Sequence, residues 1–127
     1  MKREIIHTDQ APAAIGPYSQ AISCCHLIFT AMQIALDRDT GELVGDDHAA
    51  QAHRCLCNLQ AILEAAGSSL AGALKVTVYL TDMSAFGSVN EVYEDFFPAE
   101  PPARSVVEVR ALPKGALIAV EAIAAQH

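Results

Sequence analysis

Apolar residues recur with a period of two or about 3.6 along the chain, and the changes between these periods separate strands from helices. Three strand-like stretches occupy the first third of the chain, over residues 5–7, 19–25 and 27–36. The second and third are expected to pair as a hairpin around His26, although no Asn-Gly turn lies there. A loop over 11–18 with two prolines and a glycine precedes this hairpin.

Two helices are predicted from apolar residues spaced three and four positions apart. For the first, over 47–66, Asp46 or Asp47 can supply the N-cap and Gly67 the C-terminal stop. For the second, Asp82 can supply the cap and Pro98 the end. Its expected core-facing residues are Phe86, Val89, Tyr93, Phe96 and Phe97.

Strands over 73–81, 103–110 and 117–124 complete the predicted order β-β-β-α-β-α-β-β. These strands carry apolar residues on both alternating faces, yet two helices cannot cover both faces of a sheet of about six strands. The face away from the helices is therefore expected to be covered by other copies of the chain.

Composition limits the class of protein. With 127 residues, 52% of them hydrophobic, the chain is expected to form one domain over 1–127 and not to be disordered. A net charge of −7 repels phosphate groups and so disfavours nucleic acid and membrane surfaces as partners. The N-terminal stretch lacks the apolar core of a signal peptide, and no stretch approaches the ~20 apolar residues of a membrane helix, so a cytoplasmic protein is expected.

The four cysteines, Cys24, Cys25, Cys55 and Cys57, lack the C-x-x-C spacing of a zinc site. Adjacent residues of a strand point in opposite directions, and residues two apart on a helix diverge. We therefore expect reduced thiols that are buried or idle, and no metal site.

Two charged residues stand at strand positions where an apolar residue is expected. Arg104 follows a proline corner, and Glu121 interrupts an apolar run over 117–124. One interpretation is a structural ion pair of Glu121 with Arg104 or Arg110. The other gives Arg104 a small carboxylate to bind and Glu121 a water molecule to orient and deprotonate. Residue types alone do not choose between these interpretations.

Four segments carry a resemblance to a known family. They are A-P-A-A-I-G-P-Y-S-Q over 11–20, V-N-x-x-Y-x-x-F-F over 89–97, P-A-R-S over 102–105 and V-E-A-I-A over 120–124. Together, and in this order, they resemble the RidA/YjgF family of reactive-intermediate deaminases. The resemblance implies an α+β, chorismate-mutase-like fold with a mixed sheet of about six strands and two helices on one face. It also implies a homotrimer whose sheets form a central barrel, with ligand clefts between the subunits.

The activity implied by this resemblance is the hydrolysis of 2-imino acids, such as 2-iminobutanoate and 2-iminopropanoate, or their enamine tautomers, to 2-oxo acids and ammonia. No cofactor and no metal take part. Arg104 matches the family's carboxylate-binding arginine and Glu121 its water-orienting glutamate. Tyr18 and Asn90 match residues that line the cleft, although a structural hydrogen bond near a helix end would equally explain Asn90.

The chain departs from the family pattern at two places. Val106 stands where many members have a cysteine, which leaves only its backbone to contact a ligand. Ala31 and Met32 stand where members usually have Ser-Gly, so a hydroxyl is lost and a long side chain replaces a glycine. This second departure favours small substrates or a loss of activity. The alternative functions are a non-enzymatic trimer that binds small carboxylates or protects proteins, and a ribonuclease, which the −7 charge disfavours.

Overall fold

A computed structural model describes residues 2–127. Its strands are β1 (Arg3–Ile6), β2 (Ala21–Cys24), β3 (Leu27–Thr30), β4 (Ala73–Leu80), β5 (Ala103–Glu108) and β6 (Ile118–Ala125), and its helices are α1 (His48–Ala65) and α2 (Phe86–Phe96). The predicted order of strands and helices is confirmed. Within the described residues, no helix has both the length and the apolar character required to cross a membrane.

The six strands form one mixed sheet in the order β1-β2-β3-β6-β4-β5. Neighbouring strands are antiparallel except β4 and β5, which are parallel because α2 carries the chain back between them. The strand β4 therefore lies between β5 and β6, and the last two strands of the sequence are not neighbours.

Local signals determine where the helices begin and end. The Asp47 carboxylate accepts a hydrogen bond from the Ala50 N–H and caps α1. Gly67, with φ of 80°, follows the helix in the left-handed conformation that ends many helices. Asp82 acts as a cap, as predicted, but it caps a 3₁₀ turn over Met83–Ala85, and α2 itself begins one turn later, at Phe86. Hydrogen bonds from Ser84 lower the pKa of the Asp82 carboxyl.

The core lies between the helices and one face of the sheet. Alternate residues of β4 on this face, Val76, Val78 and Leu80, are buried against α1 residues such as Leu59 and Ile62. Burial of each large aliphatic side chain contributes about 1.5–3 kcal/mol. From the predicted aromatic face of α2, Val89, Tyr93 and Phe97 are buried, and Phe86 and Phe96 are half-buried.

The opposite face of the sheet is open and carries an apolar row. The register places Ile5, Ile22, Phe29 and Ile123 side by side across four strands. Ile5 is 66% exposed and Phe29 is 42% exposed. The predicted apolar second face is thus present, and no part of residues 2–127 of the same chain covers Ile5 or Phe29 fully.

The third strand is shorter than predicted. Pairing of β3 with β6 ends at Phe29–Ile123, and an isolated bridge then joins Gln33 to Val120. Four residues on one side therefore match three on the other, which is the one-residue excess of a β-bulge. The Thr30 hydroxyl accepts the Ala122 N–H where a backbone carbonyl would otherwise do so. The expected strand over 27–36 is wrong beyond Thr30 because this bulge interrupts it.

Candidate functional site

The loop that carries Tyr18 is held by a buried glutamine. The Gln20 amide donates to the carbonyls of Pro12 and Thr8, and its oxygen accepts the Thr8 N–H at 2.8 Å. The Gln20 carbonyl accepts the N–H of Ala31, which joins the loop to the bulge. Tyr18 itself is 53% exposed. A rigid loop thus presents a large aromatic side chain at the surface.

A cavity of about 540 Å³ lies between this loop and the bulge. Its lining is mostly apolar and consists of Pro12, Ala13, Ile15, Tyr18, Gln20, Ala31, Met32, Gln33, Ile34, Leu36, Pro113 and Lys114. Three residues predicted from the family resemblance, Tyr18, Ala31 and Met32, therefore lie together. Met32 is 38% exposed, so its side chain occupies the position where the family pattern has a glycine without being locked in the core.

Glu121 faces the open side of the sheet beside this cavity. It lines a smaller pocket with Phe29, Thr30, Lys75, Thr77, Ala122 and Ile123. Two consecutive residues, Thr30 and Ala31, line the smaller pocket and the larger cavity respectively. The bulge opposite Glu121 and Ala122 is what brings Ala31 to this position.

Tyr79 holds the Glu121 side chain, a contact that the sequence analysis did not find. The Tyr79 hydroxyl donates a hydrogen bond of 2.7 Å to Glu121 Oε1, and this bond raises the pKa of Tyr79. The signal was present in the alternation of β4, because Tyr79 and Thr77 share the open face. The pairing of Thr77 with Glu121, which brings the two side chains into reach, depends on the sheet order.

Lys75 supplies a cation in the Glu121 pocket. Its ammonium group donates to the Ser105 hydroxyl at 2.8 Å, across the parallel pair β4–β5. Among residues 2–127, no carboxylate lies within 4.0 Å of this ammonium group. The open face therefore carries a carboxylate and an amine in one small pocket.

Arg104 faces the other side of the sheet, where α2 positions it. Its Nη1 donates to Asn90 Oδ1 at 2.7 Å, and its guanidinium carbon lies 4.6 Å from the centre of the Tyr93 ring and 5.3 Å from that of Phe86. Cation–π contacts of this kind stabilise a guanidinium group. Burial raises the pKa of Tyr93, and the Arg104 charge opposes that shift. The guanidinium is thus held in one orientation before any ligand arrives.

Asn90 lies in the middle of α2, and it bridges Glu94 and Arg104. Its Nδ2 donates to Glu94 Oε1 at 3.2 Å, while its oxygen accepts from Arg104. The structural hydrogen bond considered for Asn90 is thus present, but it lies in the middle of α2 and not at a helix end. Its structural role is to hold the arginine.

Arg104 and Glu121 do not form an ion pair within one chain. Arg104 pairs with Val76, which faces the helices, and Glu121 pairs with Thr77, which faces the open side. Paired residues of a sheet point to the same side, so Arg104 and Glu121 point to opposite sides. Throughout the part of the chain that the structure describes, neither Arg104 nor Arg110 has a carboxylate within 4.0 Å. The structural-pair interpretation is wrong.

Val106 lies two residues after Arg104 on the same side of β5. Its side chain is half-buried against the core. Because β5 is an edge strand, one side of its backbone has no neighbouring strand in the described residues. We call Arg104, Asn90 and Val106 the arginine group, and Glu121, Tyr79, Tyr18, Ala31 and Met32 the glutamate group.

The cysteines are free, and one expectation about them is wrong. Cys55 is buried, which raises the pKa of its thiol, and it fits the expected idle core cysteine. Cys24 and Cys25 do not point apart, because Cys25 lies outside the strand, and their sulfurs are 3.7 Å apart. Over residues 2–127, no three His, Cys, Asp or Glu side chains form a cluster able to hold a metal ion.

Comparison with known proteins agrees with the motifs. Residues 8–126 match the sequence profile of the family described as Endoribonuclease L-PSP. The chain belongs to this family. It is 52% identical over 124 residues to a RutC family protein of Pyrococcus abyssi, covering 98% of both chains. It is 45% identical over 124 residues to the 2-iminobutanoate/2-iminopropanoate deaminase of Mus musculus, covering 98% of this chain and 92% of that protein. The resemblance to the RidA/YjgF family is confirmed.

Solved structures of the family share the fold. The YjgF gene product from E. coli superposes with a TM-score of 0.93 at 46% identity, covering 98% of this chain and 99% of that chain. E. coli TdcF with bound serine gives a TM-score of 0.92 at 42% identity, with the same coverage. The predicted YjgF-like α+β fold, with a mixed six-stranded sheet and two helices, is confirmed.

Proposed function

We propose that this protein hydrolyses small 2-imino acids, or their enamine tautomers, to 2-oxo acids and ammonia. The observation that carries the proposal is Arg104: a half-buried guanidinium, stacked on two aromatic rings, fixed by Asn90 and left without a carboxylate partner in the described residues. A planar guanidinium binds a carboxylate through two parallel hydrogen bonds. The substrate carboxylate is the missing partner.

Glu121 is the proposed base. It accepts a proton from water as the water oxygen attacks the carbon of the protonated imine, and the C=N π electrons move to nitrogen. The nitrogen of the resulting carbinolamine then takes this proton from Glu121, and as the C–N bond breaks and the C=O bond forms, the hydroxyl proton returns to Glu121. The leaving ammonia carries that proton away as ammonium, which restores the carboxylate. One water is consumed and one ammonia is released, so the reaction needs no oxidant. The hydrogen bond from Tyr79 keeps the carboxylate in place for this step.

The two groups are proposed to meet between copies of the chain. Within one chain they lie on opposite faces of the sheet and are separated by β4, about 10 Å across. A cleft in which one copy supplies the arginine group and another supplies the glutamate group would bring them together. The exposed apolar row on the open face supports the same assembly, since burying it stabilises contact between copies. We therefore propose the homotrimer with a central barrel and intersubunit clefts.

Two relatives support this assignment of substrate class. The mouse relative is named a 2-iminobutanoate/2-iminopropanoate deaminase, and TdcF was crystallised with serine, which is a small α-amino carboxylate. Both ligands share the carboxylate that Arg104 would bind. A cytoplasmic location is proposed with it.

A second function is favoured by one observation, the presence of Ala31 and Met32 in the wall of the larger cavity. If Met32 blocks the approach of substrate, the trimer would bind small carboxylates without turnover. Ribonuclease activity fits less well, because a net charge of −7 repels a phosphate backbone.

An imine-hydrolysis assay separates these functions. A pyridoxal-phosphate dehydratase acting on serine or threonine generates the imine, and the rate at which the imine disappears is measured with and without this protein. Acceleration that scales with protein concentration is expected. Binding of a 2-oxo acid without acceleration would instead support the binding protein, and RNA cleavage without acceleration the ribonuclease. Light scattering in the same buffer should give three times the chain mass of 13.5 kDa.

A further inference from the structure

The tip of the β2–β3 hairpin carries an unusual turn. Cys24 pairs with Leu27, so Cys25 and His26 alone form the loop. Both have positive φ, 53° and 64°. Two-residue hairpin loops with positive φ at both positions usually contain Asn-Gly, since other side chains are strained there. This turn has a conformation that neither a cysteine nor a histidine favours.

The turn brings two thiols together. Adjacent residues of a strand would place them on opposite sides, but the left-handed backbone at Cys25 puts its sulfur 3.7 Å from that of Cys24. Cys25 is exposed and Cys24 is half-buried at the tip. Solvent therefore reaches two sulfurs that are already paired in space.

The spacing suits a bridging atom better than a disulfide. In a tetrahedral site with metal–sulfur bonds of about 2.3 Å, the two sulfurs lie roughly 3.8 Å apart. A disulfide, in contrast, normally joins residues whose Cα atoms are about 4.4–6.8 Å apart, whereas consecutive Cα atoms lie about 3.8 Å apart. The pair is thus arranged for an atom between the sulfurs and is poorly arranged for a bond between them.

We propose that Cys24 and Cys25 form a two-thiol site for a thiophilic metal or metalloid ion. Soft thiolate ligands select such ions. Binding of the ion displaces the protons of both thiols, because only thiolate sulfur is a metal ligand. With a trivalent organoarsenical oxide, two As–S bonds form, the As=O bond breaks, and the two thiol protons leave with the oxygen as water. No change of oxidation state is involved.

The site is separate from the candidate active site. It lies at the beginning of β3, whereas Ala31 follows the end of this strand, about 13 Å further along. Binding at the hairpin tip is therefore expected to leave imine hydrolysis unchanged. Ion binding at the hairpin tip therefore does not require the proposed enzymatic function, and the enzymatic function does not require ion binding.

The test uses phenylarsine oxide on the reduced protein, with intact mass and free-thiol counts as readouts. The wild-type chain should bind one equivalent and lose two titratable thiols. Cys57→Ser is the matched control, because Cys57 is the other partly exposed thiol, and it should bind equally well. Cys24→Ser and Cys25→Ser should each bind at least tenfold more weakly, since one thiol cannot chelate.

A double variant, Cys25→Asn with His26→Gly, distinguishes loss of the thiol from loss of the fold. It supplies the residues that this turn favours, so its Tm should rise while the arsenical adduct is lost. Binding that survives in either single serine variant, or that disappears in Cys57→Ser, would overturn the proposal.

Discussion

The arginine group and the glutamate group differ in how much of their geometry a single chain provides. The position of Arg104 is fixed within one chain. The helix α2 supplies a hydrogen bond and two aromatic rings to its guanidinium group, which lies against the packed core. Glu121 has one fixed contact, the Tyr79 hydroxyl, and otherwise faces an open pocket beside an exposed apolar row. The chain thus fixes the proposed carboxylate anchor by packing and leaves the proposed base largely uncovered.

This difference has a chemical reason. A carboxylate anchor works best when its donors are already oriented, because ordering them on binding would cost free energy. A water molecule, in contrast, must enter before it is enclosed. A base that becomes enclosed only when a second copy covers it meets both needs.

The largest effect on imine hydrolysis is expected from substitution of Arg104 in the arginine group. Arg104→Ala should lower kcat/KM for imine hydrolysis by about 1,000-fold, because it removes the charged anchor and both of its donors. Arg104→Lys keeps the charge but loses the planar guanidinium, so its kcat/KM should lie between those of the alanine variant and the wild type. Arg110→Ala, on the same strand-to-loop segment but exposed, is the matched control. Near wild-type rates in Arg104→Ala would remove this residue from the mechanism.

Substitution of Glu121, in the glutamate group, should lower kcat and leave substrate binding nearly unchanged. Glu121→Gln is nearly isosteric but cannot accept a proton, so kcat should fall by about 100-fold. The affinity for an unreactive 2-oxo acid should change little, because Arg104 still binds its carboxylate. Isothermal titration with pyruvate, set beside the turnover rate, separates these quantities. Equal losses in binding and in turnover would mean that Glu121 acts as a ligand contact only.

Substrate choice should depend on Met32, which belongs to the glutamate group and lines the larger cavity. Met32→Gly enlarges the cavity, and a methylene in an apolar pocket is typically worth about 1–3 kcal/mol of discrimination. Rates on imines derived from leucine should therefore rise by about tenfold relative to those on 2-iminopropanoate. Val44→Gly, which removes an apolar side chain of similar exposure (39%) outside the cavity lining, is the control. An unchanged substrate profile would mean that Met32 does not contact the substrate.

The sequence predicted those parts of the molecule whose causes are local. The α1 helix follows from its apolar spacing, the Asp47 cap and Gly67, all within twenty or so residues. The end of β3 could not be predicted from local signals, because the bulge depends on the register against β6, which is about ninety residues away. The contact of Tyr79 with Glu121 was missed for the same reason.

The candidate residues themselves were found from the chain, but their relation in space was not. Arg104 and Glu121 stand out as charges in apolar strands. Whether they face each other depends on β4 lying between β5 and β6, and no local pattern specifies that order. Similarly, the pairing of Cys24 with Cys25 depends on the backbone of a turn in which the usual Asn-Gly is missing.

The smallest effect is expected at Tyr79. Tyr79→Phe should lower turnover about threefold and destabilise the fold by about 1 kcal/mol through loss of one hydrogen bond. Because that bond raises the pKa of Tyr79 above its ordinary 10.0, its contribution is fully present below pH 10 and is lost as the pH rises through the raised pKa. Denaturant unfolding from pH 7 to 11 should show the difference from wild type shrinking only above pH 10. A difference that is constant across this range would contradict the bond.

The claim that one copy supplies Arg104 and another supplies Glu121 can be tested by mixing two inactive proteins. Arg104→Ala and Glu121→Gln chains carrying different tags are co-expressed in equal amounts, and oligomers containing both are purified by the two tags in turn. If each site draws its two groups from neighbouring chains of a trimer, every trimer that contains both variants keeps one of its three sites intact, and about a third of the wild-type rate should return. If both groups came from the same chain, no site would be intact, and a rate no higher than that of the parent variants would contradict the account.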